Sequence, residues 1–310
     1  MVRAVGITRI GGPEVLQAID RPVRRPEAGE VRIQVRAAAV NPADLGMRTR
    51  GGRDLPPPWV PGMEAAGLVD AVGTGVERLS VGQRVMAVVN PYRVEGGAQI
   101  EQLVVPAGSV VPIPSGIALK QAATLPMNGL TARLGLEMLG LVEGETLAVS
   151  GGAGQLASFL IPLAKQHRLR VIADAKPDDV DLVRSFGADE VVERSDDFGA
   201  AVRAVAPLGA DGVYDTAVLH DGAFGAVRDG GVIVDVSGWA PSSTERGITV
   251  KQEFVFHAFE RTDWLGELSR LASQDRFRLR VAREIGPADA GEAHRLLDAG
   301  GLRGRPVVVF

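Results

Sequence analysis

Leu147-Ala148-Val149-Ser150-Gly151-Gly152-Ala153-Gly154-Gln155-Leu156-Ala157 is the stretch that decides the fold of this chain. A short apolar run passes straight into a glycine turn and then into residues with helical spacing, so the pattern G-x-G-x-x-A stands in strand, turn, helix order. Gly152 permits the tight turn, Gly154 lets the backbone approach a diphosphate, and Ala157 is small enough for the helix to pack closely on the strand. Unpaired amides at the start of the helix then face the phosphates. The spacing predicts a dinucleotide-binding unit contacted by Ser150, Gly151, Gly152, Ala153, Gly154, Gln155 and Leu156. The alternative, a glycine turn with no ligand, is disfavoured by the strand-turn-helix context. Pro162 lies inside the expected helix, where a missing N–H and a ring clash cost about 3 kcal/mol.

Working outward from this turn, strand-like and helix-like segments alternate from Thr146 to Val236. Expected strands at 146–150, 170–174, 190–193, 212–217 and 231–236 are separated by expected helices at 155–167, 178–186, 198–206 and 223–227. Such alternation implies a parallel sheet covered by helices on both faces. Toward the N-terminus the texture differs. Short β-branched runs at 31–40, 67–72, 84–89 and 99–105 lie between turns and read as mostly β. The expected organisation is a β-rich domain from residues 1–119 and 259–310, and a dinucleotide-binding domain from residues 120–258.

Composition narrows the chemistry. The 310 residues include 38 acidic and 34 basic side chains, a formal charge of -4, so there is no basic excess to draw the chain onto nucleic acid or anionic lipid. Small molecules are the expected partners. No cysteine occurs, which excludes disulfides, thiolate nucleophiles and sulfur-ligated zinc. The four histidines, at 167, 220, 257 and 294, show no metal-ligand spacing, and no metal site is expected. No apolar run is long enough for a membrane span or signal peptide, and a cytoplasmic location is expected.

At the end of the second expected strand the sequence reads Val171-Ile172-Ala173-Asp174-Ala175-Lys176. An acidic side chain here binds the ribose 2′-hydroxyl of NAD, whereas a small residue followed by a cation leaves room and charge for the 2′-phosphate of NADP. Asp174 favours the first and Ala175-Lys176 the second. Ser237 and Gly238 follow a later strand at the carboxyl edge, where ligands bind in such sheets, and are expected cofactor contacts.

Several further segments resemble the zinc-independent quinone oxidoreductase branch of the medium-chain dehydrogenase/reductase family. Val40-Asn41-Pro42-Ala43-Asp44 is similar to its V-N-P-x-D signature, Pro61-Gly62-Met63-Glu64-Ala65-Ala66-Gly67 to its P-G-x-E-x-x-G stretch, and Val81-Gly82-Gln83-Arg84-Val85 to its V-G-D-R-V. Leu125-Pro126-Met127-Asn128-Gly129-Leu130-Thr131-Ala132 resembles its L-P-x-x-G-L-T-A, and Phe186-Gly187-Ala188-Asp189 its L-G-A-D. The resemblance implies a Rossmann doubly wound sheet plus a β-rich GroES-like catalytic domain, and a homodimer formed at a Rossmann sheet edge near Gln252 to His257. It aligns Ala175 with the residue that is acidic in NAD-preferring relatives, with Asp174 pointing to the other face of its strand, so NADPH is the expected cofactor. It also implies that Asn41 lies near the reacting groups and that Thr131 contacts the cofactor.

Zinc-dependent members of that family carry a cysteine near the first signature and a histidine where Met63 stands. Without such a Lewis acid, alkoxide stabilisation is lost and a conjugated acceptor becomes the expected substrate, because its charge delocalises onto oxygen. The resemblance therefore implies an NADPH-dependent reductase of a quinone or other conjugated carbonyl. Alternatives are an enoyl reductase acting on an acyl thioester and an NADPH-binding sensor or structural protein without turnover. The family often places a tyrosine where Gly46 stands. Asn41, Asp44 and Tyr92 are the candidate catalytic residues.

Overall fold

The computed structural model describes residues 1–310 and divides into two compact units. One unit comprises Met1–Met127, Phe256–Asp275 and Leu279–Phe310; the other comprises Asn128–Val255 and Arg276–Arg278.

The β-rich unit begins with β1 (Val2–Ile7) and β2 (Leu16–Arg21), an antiparallel pair. It continues through β3 (Glu30–Ala39), α1 (Pro42–Arg50), β4 (Glu64–Val72), β5 (Arg84–Val88), β6 (Gln102–Pro106), β7 (Val110–Pro112) and the single turn α2 (Leu119–Ala122). The long strand β3 organises the larger sheet, pairing antiparallel with both β4 and β6. Its inward positions Val31, Ile33 and Val35 alternate with more exposed ones, as a half-buried strand requires. Together with Val69, Val85, Leu103 and Val105 they form the core of this unit.

The second unit takes most of α3 (Pro126–Leu139), which begins at Pro126, where a missing N–H costs nothing at a helix start. Strands and helices then alternate through β8 (Thr146–Ser150), α4 (Ala157–Gln166), β9 (Arg170–Ala175), α5 (Val180–Ser185), β10 (Glu190–Glu193), α6 (Phe198–Val205) and β11 (Ala210–Asp215), followed by β12 (Val227–Asp235) and β13 (Thr249–Gln252). The sheet order is β10-β9-β8-β11-β12-β13, and every pairing is parallel. The strand order reverses between β8 and β11, so their carboxyl ends flank the crevice where ligands bind in such sheets. Strands β8, β9 and β11 are buried along almost their whole length, as parallel strands covered on both faces are. The expected helix at 223–227 is present as a 3-10 helix that begins three residues earlier, over His220–Ala226. Helix α4 runs on through Pro162, with Ala157, Phe159, Leu160, Ile161, Leu163 and Ala164 buried; this packing offsets the proline defect.

The chain then returns to the first unit with α7 (Thr262–Ser273), β14 (Val281–Ile285), α8 (Ala290–Ala299) and β15 (Arg305–Val309). Strand β15 pairs with β3, placing Arg305 in the same sheet as Glu64. No helix is long and apolar enough to cross a membrane.

Candidate functional site

In the β-rich unit the two signatures meet at a buried polar network. Asn41 precedes α1 and Pro42 occupies its first turn, a placement that the sequence Asn-Pro favours. The Asn41 amide donates to Asp44 Oδ2 at 2.8 Å and the Gly62 amide to Asp44 Oδ1 at 2.8 Å. Gly62 takes this position with φ +108, and a Cβ there would lie 2.9 Å from the Ala98 and Gln99 nitrogens. The Asn41 side-chain nitrogen donates to Glu64 Oε1 at 2.8 Å, and Glu64 Oε2 accepts from the Met127 amide at 2.9 Å.

Asp44 thus spends both carboxylate oxygens on backbone amides; it fixes the loops that carry Asn41 and Met63. Glu64, absent from the residues singled out in the sequence, does the same for Asn41 and the start of α3. Its signal was a charged residue opening the apolar run Met63-Glu64-Ala65-Ala66, on a strand that has to be buried. Burial pushes the Glu64 carboxyl up to about 7 and that of Asp44 up to about 6, against the lowering effect of their hydrogen bonds. Burial also pulls the Arg305 guanidinium down to about 10, opposed by the charges of Glu64 and Asp44. Tyr92 is not part of this network. It lies in the 90–97 loop with the Arg53 guanidinium 4.2 Å from its ring centroid and Phe256 at 6.0 Å.

In the other unit the glycine turn closes onto the end of β9. Gly151 adopts φ +72, the Gly151 and Gly152 amides donate to Asp174 Oδ1 at 2.6 and 3.2 Å, and Gly152 also donates to the Asp174 carbonyl at 3.2 Å. Asp174, one of the expected cofactor contacts, thus meets the glycine turn directly. The end of the strand turns its carboxylate toward the fingerprint, where two amides fix it, and Ala175 is the fully buried neighbour. Arg194, just past β10, completes the arrangement with Nε 2.7 Å from Asp174 Oδ2. No local motif marks Arg194, because only the β9-β10 pairing brings it there. Lys176 is exposed.

The remaining expected contacts have distinct surroundings. Ser150 is fully buried: its hydroxyl donates to Asp215 Oδ1 at 2.6 Å and accepts from the Ala217 amide at 3.0 Å, tying the end of β8 to that of β11. Gln155 is also buried, yet neither atom of its carboxamide has a partner. Ala153 is buried, and Gly154 donates to the Gly151 carbonyl at 2.8 Å. Leu156 stands immediately before α4. Ser237 caps the end of β12 by donating its amide and hydroxyl to Asp235 Oδ1 at 2.8 Å, and Gly238 follows with φ +81. Thr131 sits in α3, its carbonyl accepting from the buried Tyr214 hydroxyl at 2.9 Å. Near the same carboxyl edge, His220 stacks on Trp239 at 5.0 Å and places Nε2 3.2 Å from the Ser237 hydroxyl. Val218 and His220 both adopt left-handed backbone there, at φ 60 and 55.

These features define an α/β nucleotide-binding unit joined to a β-rich unit with a buried polar network at its asparagine signature. Residues 27–115 match the alcohol dehydrogenase GroES-like domain and residues 186–308 the zinc-binding dehydrogenase domain. Over the full length, the chain is similar to an NAD-dependent alcohol dehydrogenase (28% identity, TM-score 0.86, 99% of each chain covered). It is equally similar to a mycobacterial protein solved in complex with NADPH (28% identity, TM-score 0.87, 100% of each chain covered). The chain belongs to the medium-chain dehydrogenase/reductase family.

Among curated relatives, it is 31% identical to a 2-methylene-furan-3-one reductase of Solanum lycopersicum, over 76% of this chain and 62% of that protein. It is 34% identical to a chloroplastic NADPH-dependent alkenal/one oxidoreductase of Arabidopsis thaliana, over 74% of this chain and 60% of that protein. The chain thus spans about three fifths of the length of these relatives.

The residues fit a nicotinamide dinucleotide. The orphaned carboxamide of Gln155 at the turn and the start of α4 offer polar groups suited to a diphosphate. They do not fit zinc. No three His, Cys, Asp or Glu side chains converge, Asp44 and Glu64 commit their oxygens to amides, and Met63 presents a thioether.

Proposed function

We propose that this chain is a zinc-independent oxidoreductase that reduces a conjugated carbonyl acceptor, a quinone or an enone, at the expense of NADPH. The observation that carries the reading is the glycine turn Gly151–Gly154, closed on Asp174 and flanked by the unpartnered carboxamide of Gln155. Bound there, the nicotinamide cofactor supplies the hydride. The chain's own residues bind and orient: the turn and the first amides of α4 hold the diphosphate, and the carboxyl edge at Ser237 and Gly238 receives the far half. Asn41, clamped by Glu64 and Asp44, is the rigid polar group of the β-rich unit that orients the acceptor carbonyl. The names of the two plant relatives, a 2-methylene-furan-3-one reductase and an NADPH-dependent alkenal/one oxidoreductase, support this acceptor class.

NADPH is favoured by charge at the end of β9. The Asp174 carboxylate is engaged by two amides and by Arg194, so its repulsion of a 2′-phosphate is offset, while Arg194 and Lys176 supply positive charge. The edge strand β13 leaves its outer hydrogen-bonding groups unpaired in the single chain, and we assign it as the pairing edge of a homodimer. Sedimentation at a monomer mass would overturn that assignment.

Oxidation of NADPH and NADH is measured against a panel of simple quinones, alkenals, enones and a crotonyl thioester. Turnover of quinone or enone, faster with NADPH, is the expected result. Tight NADPH binding with no turnover on any acceptor refutes the reading, and turnover confined to the thioester redirects it to enoyl reduction.

A further inference from the structure

Arg53 is held in an unusual way. It follows the Gly51-Gly52 pair after α1 and adopts left-handed backbone at φ 58, a conformation that side-chain-bearing residues seldom take. Its guanidinium lies 4.2 Å from the Tyr92 ring centroid and 5.4 Å from that of Phe256. Phe256 in turn packs against Phe259 at 5.0 Å, so the cation rests on two rings backed by a third, all within the β-rich unit. Stacking fixes the plane of a guanidinium and leaves its edge N–H groups pointing away from the rings.

No carboxylate of the chain occupies those donors. Asp54, next in sequence, makes no ion pair with Arg53. Glu95, the acid of the 90–97 loop, is bound by Arg24 at 2.8 Å and Arg93 at 3.5 Å. Arg48, on α1, is paired with Asp298. Arg53 is exposed and has no ion-pair partner, in a chain of net charge -4 where acidic side chains outnumber basic ones.

We propose that Arg53 and its aromatic ledge bind the anionic end of the acceptor, a carboxylate carried at a distance from the conjugated carbonyl. The proposal rests on the reductase reading above and names its substrate class. Helix α1, nine residues long, separates Asn41 from the Gly51-Gly52 pair by about 13 Å of helix axis, so the anion belongs at the far end of the substrate. A planar guanidinium accepts a carboxylate through two parallel hydrogen bonds, and the rings beneath it cover the adjoining apolar chain.

The test compares a linear enone ending in a carboxylate with its methyl ester, in turnover and in calorimetric binding to the NADPH-loaded protein. The free acid is expected to exceed the ester in kcat/KM by roughly tenfold, the effect of one charge-assisted hydrogen-bonded pair. Arg53→Met brings that ratio close to one, mainly through KM, and Arg53→Lys restores part of it. Equal kcat/KM for acid and ester in the natural protein, or a ratio unmoved in Arg53→Met, overturns the proposal. If neither compound is turned over, the reductase reading fails. Acid-selective binding lost in Arg53→Met then still upholds the anion site, and its absence removes that too.

Discussion

Glu64 couples the buried polar network of the β-rich unit, because each of its oxygens accepts from a different segment: the Asn41 side chain and the Met127 amide. Glutamine at this position keeps one acceptor but turns an amide nitrogen toward a donor. Glu64→Gln is therefore expected to lower stability by about 2 to 4 kcal/mol, the cost of an unsatisfied buried donor pair, read as a drop in the denaturant midpoint. Asn41 should lose its fixed orientation as well, so kcat on a quinone falls while NADPH affinity stays close to that of the natural protein. An unchanged midpoint would show that Glu64 is not coupled in this way. Asn41 and Asp44 stood out in the sequence through their resemblance to the V-N-P-x-D signature, and the contact the structure shows between them spans only three residues at a helix start. Glu64 and Arg305 were not, since their partners come together only through the sheet that joins β3, β4 and β15.

The glycine turn is the element whose conformation was most readable, for the same reason: strand β8, turn and helix α4 are contiguous. Its electrostatics were less so. The side-chain direction of Asp174 depends on how the end of β9 meets the turn, and Arg194 arrives from a neighbouring strand, twenty residues on. Short strands such as β2 and β13 escaped notice because their polar sequences lack the apolar alternation that marks a half-buried strand. The Asp174-Arg194 pair yields a sharp expectation. Arg194→Met unmasks the carboxylate and removes a cation, so the NADPH:NADH ratio of kcat/KM is expected to fall by tenfold or more, about 1.4 kcal/mol per factor of ten. Asp174→Ala is expected to raise the ratio while loosening Gly151 and Gly152. A preference that follows Lys176→Ala alone would place the 2′-phosphate contact there and not at Arg194.

At the scale of the whole molecule, buried titratable groups make stability depend on pH in opposing ways. In the nucleotide-binding unit, burial pushes Glu253 up to about 8, reinforced by Asp235 and offset in part by its hydrogen bond from Tyr214. Its Oε1 has no partner. With Asp44 at about 6 and Glu64 at about 7, three carboxyls hold protons in the folded chain that the unfolded chain has released. Their contribution is fully present below the unfolded values near 4 and is lost as pH rises through the folded ones. His294 acts with the opposite sign. Fully buried with both ring nitrogens unpartnered, it is pulled down to about 4 by burial and by Arg48, so the unfolded chain binds the extra proton between about 4 and 6.5. Stability from that source grows as pH rises through the same interval and is complete near 6.5. The two trends oppose one another in mildly acidic solution, whereas from about 7 to 8 Glu253 is the main group still titrating. Stability is therefore expected to fall by about 1 kcal/mol per pH unit over that range, the linkage of a single proton. Glu253→Gln keeps an acceptor for the Tyr214 hydroxyl while removing the charge, so it should flatten this slope. Hydrogen exchange of β12 and β13, followed from pH 6.5 to 8.5 and corrected for intrinsic rates, reports the change in the unit where it arises. An identical slope in the natural and Glu253→Gln proteins would assign the dependence to another group.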